Sequence, residues 1–243
     1  MNGSGTSAEQ VLPMPGEEPA AAVSALPSEL TPEARKLRLY ELALVVSVAF
    51  LGPSISSLCD WWTGAPLTPD SGFDSLSRIL RAAISISVLA YVLYRQGRSL
   101  RTIGLTARPS DVAWALAVTF CAKLLAGSIV TLFVAYHVTA LNVHHPAGSG
   151  FLKWLAVVPS AATEELVVRA YLMTEVAALS GSMALAVIVS VGFQCFYHLY
   201  QGVPAALYHA GTFFAFAVFY AYTRRATPVI LAHSLENFLI LAG

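Results

Sequence analysis

Apolar residues fall into seven long runs separated by short polar stretches, at about Leu39–Leu58, Ile79–Tyr94, Val112–Leu141, Phe151–Leu179, Met183–Tyr200, Val203–Tyr222 and Thr227–Leu241. Each approaches the ~20 residues a helix needs to cross a hydrocarbon core, the second and last being short. A chain in lipid must satisfy its backbone amides internally. The runs therefore predict an all-α fold, a polytopic transmembrane helical bundle of about seven spans. Thr31-Pro32-Glu33 reads as an N-cap, a first-turn proline and an acid near the positive end of the helix dipole, so the first helix begins there. The third run is interrupted by Lys123 alone, which can pair with a carboxylate or snorkel.

Residues 1–34 carry Pro, Ala, Gly, Ser and Glu without an apolar run, and predict a disordered tail. They lack the basic start and apolar core of a secretory signal, so the first membrane helix is expected to serve as its own targeting signal. Residues 35–110 form a second unit, two helices and a basic loop, and 111–243 the remaining helices. Arg35, Lys36, Arg38, Arg95, Arg98, Arg101, Arg108, Arg224 and Arg225 all fall on one side of a seven-span bundle. Asp60, Asp70, Asp74, Arg78, Arg81 and Lys153 fall on the other. The positive-inside rule then predicts a cytoplasmic N-terminus and tail. Internal repeats and paired broken helices are absent from the sequence, which weakens a secondary-transporter reading.

Composition agrees: 56% of the residues are hydrophobic and 12% charged, with a mean hydropathy of +0.65. A formal net charge of zero argues against nucleic acid as a partner. Cys59, Cys121 and Cys195 stand singly, without the spacing of a disulfide framework or zinc knuckle.

Ionisable groups at membrane depth need a partner or a task. Glu164, Glu165 and Arg169 lie together in SAATEELVVRAYL. Glu165 and Arg169 are four apart and can pair along a helix face, whereas Glu164 has no such partner. His198 ends the fifth run one turn after Gln194, and His233 and Asn237 are four apart in the seventh. Each has a structural explanation when taken singly: an ion pair for fold specificity, interfacial packing, interhelical glue. Together they place two carboxylates, two imidazoles and an amide on three apolar helices. Such a set can take a proton from water, or donate hydrogen bonds to the oxyanion of a tetrahedral intermediate. It can equally hold a divalent metal through Glu and two His. Spacing does not choose among these.

The ordered motifs Glu164-Glu165-x-x-x-Arg169, a helix-end His198 and His233-x-x-x-Asn237, with SLRTIGL at 99–105 as a lead-in, resemble the CPBP family of intramembrane proteases. That family includes CAAX prenyl endopeptidases and bacterial bacteriocin-processing and immunity proteins; the resemblance covers about residues 100–240. It implies that Glu164 activates water with His198 as partner, that His233 and Asn237 stabilise the oxyanion, and that Glu165 and Arg169 hold the site. It makes 111–243 a catalytic core. One departure stands out: the second motif usually reads Phe-x-x-x-His, and here Gln194 stands four before His198, which alters pocket shape or polarity there. The family is described both as metalloproteases and as glutamate-type proteases. Metal-free activation is preferred because no acceptors behind the histidines can be named from the sequence; a metal such as zinc would be held by Glu164, His198 and His233. Glu236, within a turn of His233, reads as an exposed or lumen-facing acid.

His209 is a secondary candidate. Cys195 reads as a buried small residue more readily than a nucleophile, and His144 and His145 as solvated loop residues. The aromatics of TFFAFAVFYAYTRR read as a packing or lipid-facing surface. The expectation is a multi-pass endopeptidase, in a bacterial cell membrane, acting on a membrane-associated peptide that is either prenylated at its C-terminus or a leader peptide. A non-catalytic immunity or scaffold protein is the first alternative, and a small proton-coupled transporter the second.

Overall fold

The computed structural model describes residues 31–64, 72–135 and 150–242. The expectations for residues 1–30, for Asp70, for the end of the third run and for His144 and His145 lie outside the described residues. The helices are α1 (Pro32–Thr63), α2 (Gly72–Arg95), α3 (Asp111–Ala135), α4 (Phe151–Glu164), α5 (Met173–Ser180), α6 (Met183–Tyr197), α7 (Val203–Thr223) and α8 (Thr227–Ala242). A π-helical stretch, Glu165–Leu172, joins α4 to α5 in one rod. The described residues thus form seven rods and no strand, an all-α membrane bundle with one rod per apolar run. Four helices, α1, α2, α3 and α7, are long and apolar enough to cross a membrane. α6 and α8 are apolar but span 15 and 16 residues, and the fourth rod carries its charges at its middle.

The caps follow the sequence. The Thr31 hydroxyl accepts from the Ala34 amide at 3.2 Å, so residues 32–34 are the first turn of α1. The rods alternate in direction, as tethers at one end demonstrate. Arg35 donates to the Leu179 carbonyl at 3.1 Å, and Arg38 and Arg98 both reach Glu175. Gln96 donates to Glu41 at 2.8 Å, Arg225 pairs with Asp111, and Thr227 donates to the Thr106 carbonyl at 2.9 Å. The starts of α1, α3 and α8 and the ends of α2, α5 and α7 therefore meet at one basic end. At the other, Ser57 of α1 accepts from the Tyr200 amide at 2.9 Å, beyond the end of α6.

Two apolar clusters hold the rods together. The larger joins Val45, Ala49 and Phe50 of α1 and Leu89, Val92 and Leu93 of α2 to the π stretch, with Ala186 and Tyr197 of α6 and Tyr220 of α7. The smaller joins Ala115, Val118 and Ala122 of α3 to Phe216 of α7 and Val229 and Ala232 of α8. Close approach is built in at two glycines. Gly104 has φ +95°, and a Cβ there would run into the backbone of Arg224 and Ala226; its carbonyl instead accepts from the Ala226 amide at 2.9 Å, docking the start of α8. A Cβ on Gly211 would stand 2.9 Å from the Ala126 backbone nitrogen, so α7 touches α3 there main chain to main chain. The aromatics of α7 divide between the two readings: Phe213, Phe216 and Tyr220 are buried, Phe214 and Tyr222 exposed.

Candidate active site

The fourth rod supplies both carboxylates. Glu164 closes α4 and Glu165 opens the π stretch. The wider i→i+5 turn narrows the angle between successive side chains, so two adjacent acids can both face inward. All eight residues of the stretch are buried. α6 faces it with a polar stripe, Ser190, Gln194 and Tyr197, spaced at four and three and buried within an otherwise apolar helix. His198 follows as the C-cap, its amide hydrogen-bonded to the Gln194 and Cys195 carbonyls at 3.2 Å.

Four groups meet at one oxygen, Glu164 Oε2. The Tyr197 hydroxyl donates to it at 2.7 Å, and the Gln194 amide nitrogen at 3.4 Å. His198 Nε2 stands 3.9 Å away and His233 Nε2 4.0 Å. The last two separations are too wide for direct hydrogen bonds and suit a bridging water. The side chains of Glu164 and His198 are 19% and 16% exposed. His198 is held by rings, not by hydrogen bonds: its centroid lies 4.7 Å from Tyr197, 5.4 Å from His209 and 5.2 Å from Phe213. Both its ring nitrogens are buried without a hydrogen-bond partner among the described residues.

Glu165 is completely buried and works on a different neighbour. Its Oε1 is 2.8 Å from His233 Nδ1, which aims Nε2 of that ring back at Glu164. Oε2 lies 3.7 Å from Arg169 Nε, an ion contact without a hydrogen bond. The Arg169 guanidinium is engaged elsewhere: with Ser190 Oγ at 2.9 Å, with the Phe213 carbonyl at 3.2 Å and with the Gln194 amide oxygen. It thus ties the fourth rod to both α6 and α7.

Of the residues singled out in the sequence, Glu164, Glu165, Arg169, Gln194, His198 and His233 come together. Asn237 is half-buried one turn beyond His233, and its side chain makes no hydrogen bond to another described residue. Gln194 is fully buried and bonds both Arg169 and Glu164. Glu236 is buried, not exposed, and meets Lys123 of α3 at 3.5 Å; it is Glu165 that backs His233. Cys195 gives its thiol to the Ala206 carbonyl at 3.6 Å, away from a nucleophile's role. His209 joins the ring cluster and bonds Gln201 at 2.9 Å. The sequence reading missed Tyr197, the closest partner of Glu164; a tyrosine ending an apolar run resembles an interfacial anchor, and only its position next to His198 marked it.

Two ligands ~2.05 Å from a tetrahedral zinc lie about 3.3 Å apart. The 3.9 and 4.0 Å separations of Glu164 from the two imidazoles exceed that, and no group of three or more His, Cys, Asp or Glu among the described residues is disposed to hold a metal ion. As folded, the donor set does not fit a zinc site.

Residues 146–239 match the family model described as type II CAAX prenyl endopeptidase Rce1-like. The family resemblance therefore holds over the segment containing Glu164, His198, His233 and Asn237, while the 99–105 lead-in lies outside the match. No curated protein and no solved structure matches the chain.

Proposed function

We propose, from the Rce1-like match over residues 146–239 and the geometry around Glu164, that this chain is an intramembrane endopeptidase acting on a membrane-associated, CAAX-type prenylated peptide. The observation that carries the reading is the convergence of Tyr197, Gln194, His198 and His233 on one carboxylate inside an apolar bundle. Glu164 is the general base: a water bridging it and His198 loses a proton to the carboxylate as its oxygen attacks the scissile carbonyl. His233 in its imidazolium form donates from Nε2 to the developing oxyanion while Nδ1 holds Glu165, and Asn237 supplies a second donor once substrate draws it in. The proton on Glu164 then passes to the leaving amine, the C–N bond breaks, and the carboxylate is regenerated. Such donors act most strongly where bulk water is excluded.

A basic end with Arg35, Arg38, Arg98 and Arg225 supports an N-terminus on the cytoplasmic side of the membrane. A metal plays no part in this scheme.

The test is a mass-spectrometric cleavage profile of a peptide mixture, farnesylated C-terminal peptides included, with purified wild type and Glu164→Gln side by side in detergent, with and without chelator. The expected result is one bond cut by the wild type, by the wild type with chelator, and not by the variant. Cleavage lost on chelation overturns the metal-free mechanism. A folded wild type that cuts nothing favours the scaffold alternative.

A further inference from the structure

Gln194 stands where the resembling family usually has phenylalanine, and it is fully buried between two charged groups. Its orientation is dictated by its neighbours. Arg169 has only donors, so the amide oxygen must face it, as observed. The amide nitrogen, a donor only, then faces Glu164 Oε2 at 3.4 Å. Tyr197, one turn on, donates to the same oxygen at 2.7 Å. The guanidinium at the far end is fixed by Ser190 Oγ, which itself donates to the Val168 carbonyl at 3.1 Å, and by the Phe213 carbonyl. The chain of bonds therefore has one polarity, from the guanidinium through the amide to the carboxylate. The alternative route from Arg169, through Glu165, is a 3.7 Å contact with no hydrogen bond at either atom.

We infer that Gln194 and Tyr197 are positioning residues for Glu164, and that Arg169 acts on the general base through the Gln194 amide and not through its pair with Glu165. The inference rests on the reading of Glu164 as the base. Both donors converge on Oε2, the same oxygen that the two imidazoles face, and so fix the carboxylate's orientation towards the water that bridges it to His198. Phenylalanine at 194 could neither accept from Arg169 nor donate to Glu164, and asparagine is one methylene too short to span both. A glutamate there would accept from Arg169 but oppose Glu164 charge to charge.

The experiment uses the full chain in detergent, a farnesylated CAAX-type peptide as probe, and two readouts. Gln194→Met and Tyr197→Phe should each lower kcat by roughly 10–100-fold, the loss of a hydrogen bond to a charged group, with KM within about twofold. Gln194→Glu should not rescue the rate. Independently of substrate, the Tm losses of Gln194→Met and Glu164→Leu should fail to add, by about 2–4 °C, because both remove the same bond. Additive Tm losses, a change confined to KM, or a Gln194→Glu variant at wild-type rate overturns the inference. If the folded wild type leaves the peptide uncut, the proposed activity fails while the Tm cycle still decides whether Gln194 holds Glu164.

Discussion

His198 and Arg169 both belong to the site, yet they differ in what anchors them. The His198 side chain packs against other rings, and its two ring nitrogens make no hydrogen bond among the described residues. Arg169 is wholly buried and ties three rods together. His198→Ala should therefore abolish turnover and shift thermal unfolding in detergent little. Arg169→Met should cost about 3–5 kcal/mol of stability, since it leaves the buried Gln194 amide oxygen and Phe213 carbonyl without their donor and removes one of the two cationic neighbours of Glu165. A common loss of expression in both variants would contradict the contrast. At this scale the sequence was legible wherever an ionisable group sat in an apolar run, because depth alone makes such a group conspicuous. It was not legible for Tyr197 and Gln194, whose roles depend on which rod faces which. Glu236 misled for the same reason: its partner, Lys123, lies more than a hundred residues away, on a helix that periodicity alone does not place beside it.

The apolar runs and the rods agree closely at the scale of elements, since Gly, Pro and capping residues mark most ends: Thr31 before α1, Gly181 after α5, Gly202 and Pro204 at the entry to α7. The π stretch was hidden. ELVVRAYL has the composition of any helix, and the extra residue per turn follows from packing two adjacent acids inward, which no local preference records. Helix contact, by contrast, can be tested at a single atom. Gly211→Ala places a methyl group against the Ala126 backbone, which cannot yield as the nearby Ile129 side chain can. It should push α7 from α3 and cost about 1–3 kcal/mol, read as a lower Tm. Because α7 supplies the Phe213 carbonyl to Arg169, turnover should fall with it; an unchanged Tm would place the two helices further apart than described.

For the whole molecule, the alternating rods put Arg35, Arg38, Arg98 and Arg225 at one end and Cys59, exposed near the end of α1, towards the other. With the N-terminus cytoplasmic, a membrane-impermeant maleimide added to intact cells should label Cys59, and labelling only after lysis would reverse the orientation. α1 also has 32 residues, about 48 Å of helix, against a hydrocarbon core of ~30 Å. Its apolar part, residues 39–58, covers about 30 Å of that length, so the charged first turns stand in the headgroup region. Midway along α1, Phe50 stacks on the ring of Tyr197 at 4.8 Å, and Tyr197 holds Glu164. A helix that faces lipid is thereby linked, through two aromatic rings, to the carboxylate at the centre of the protein.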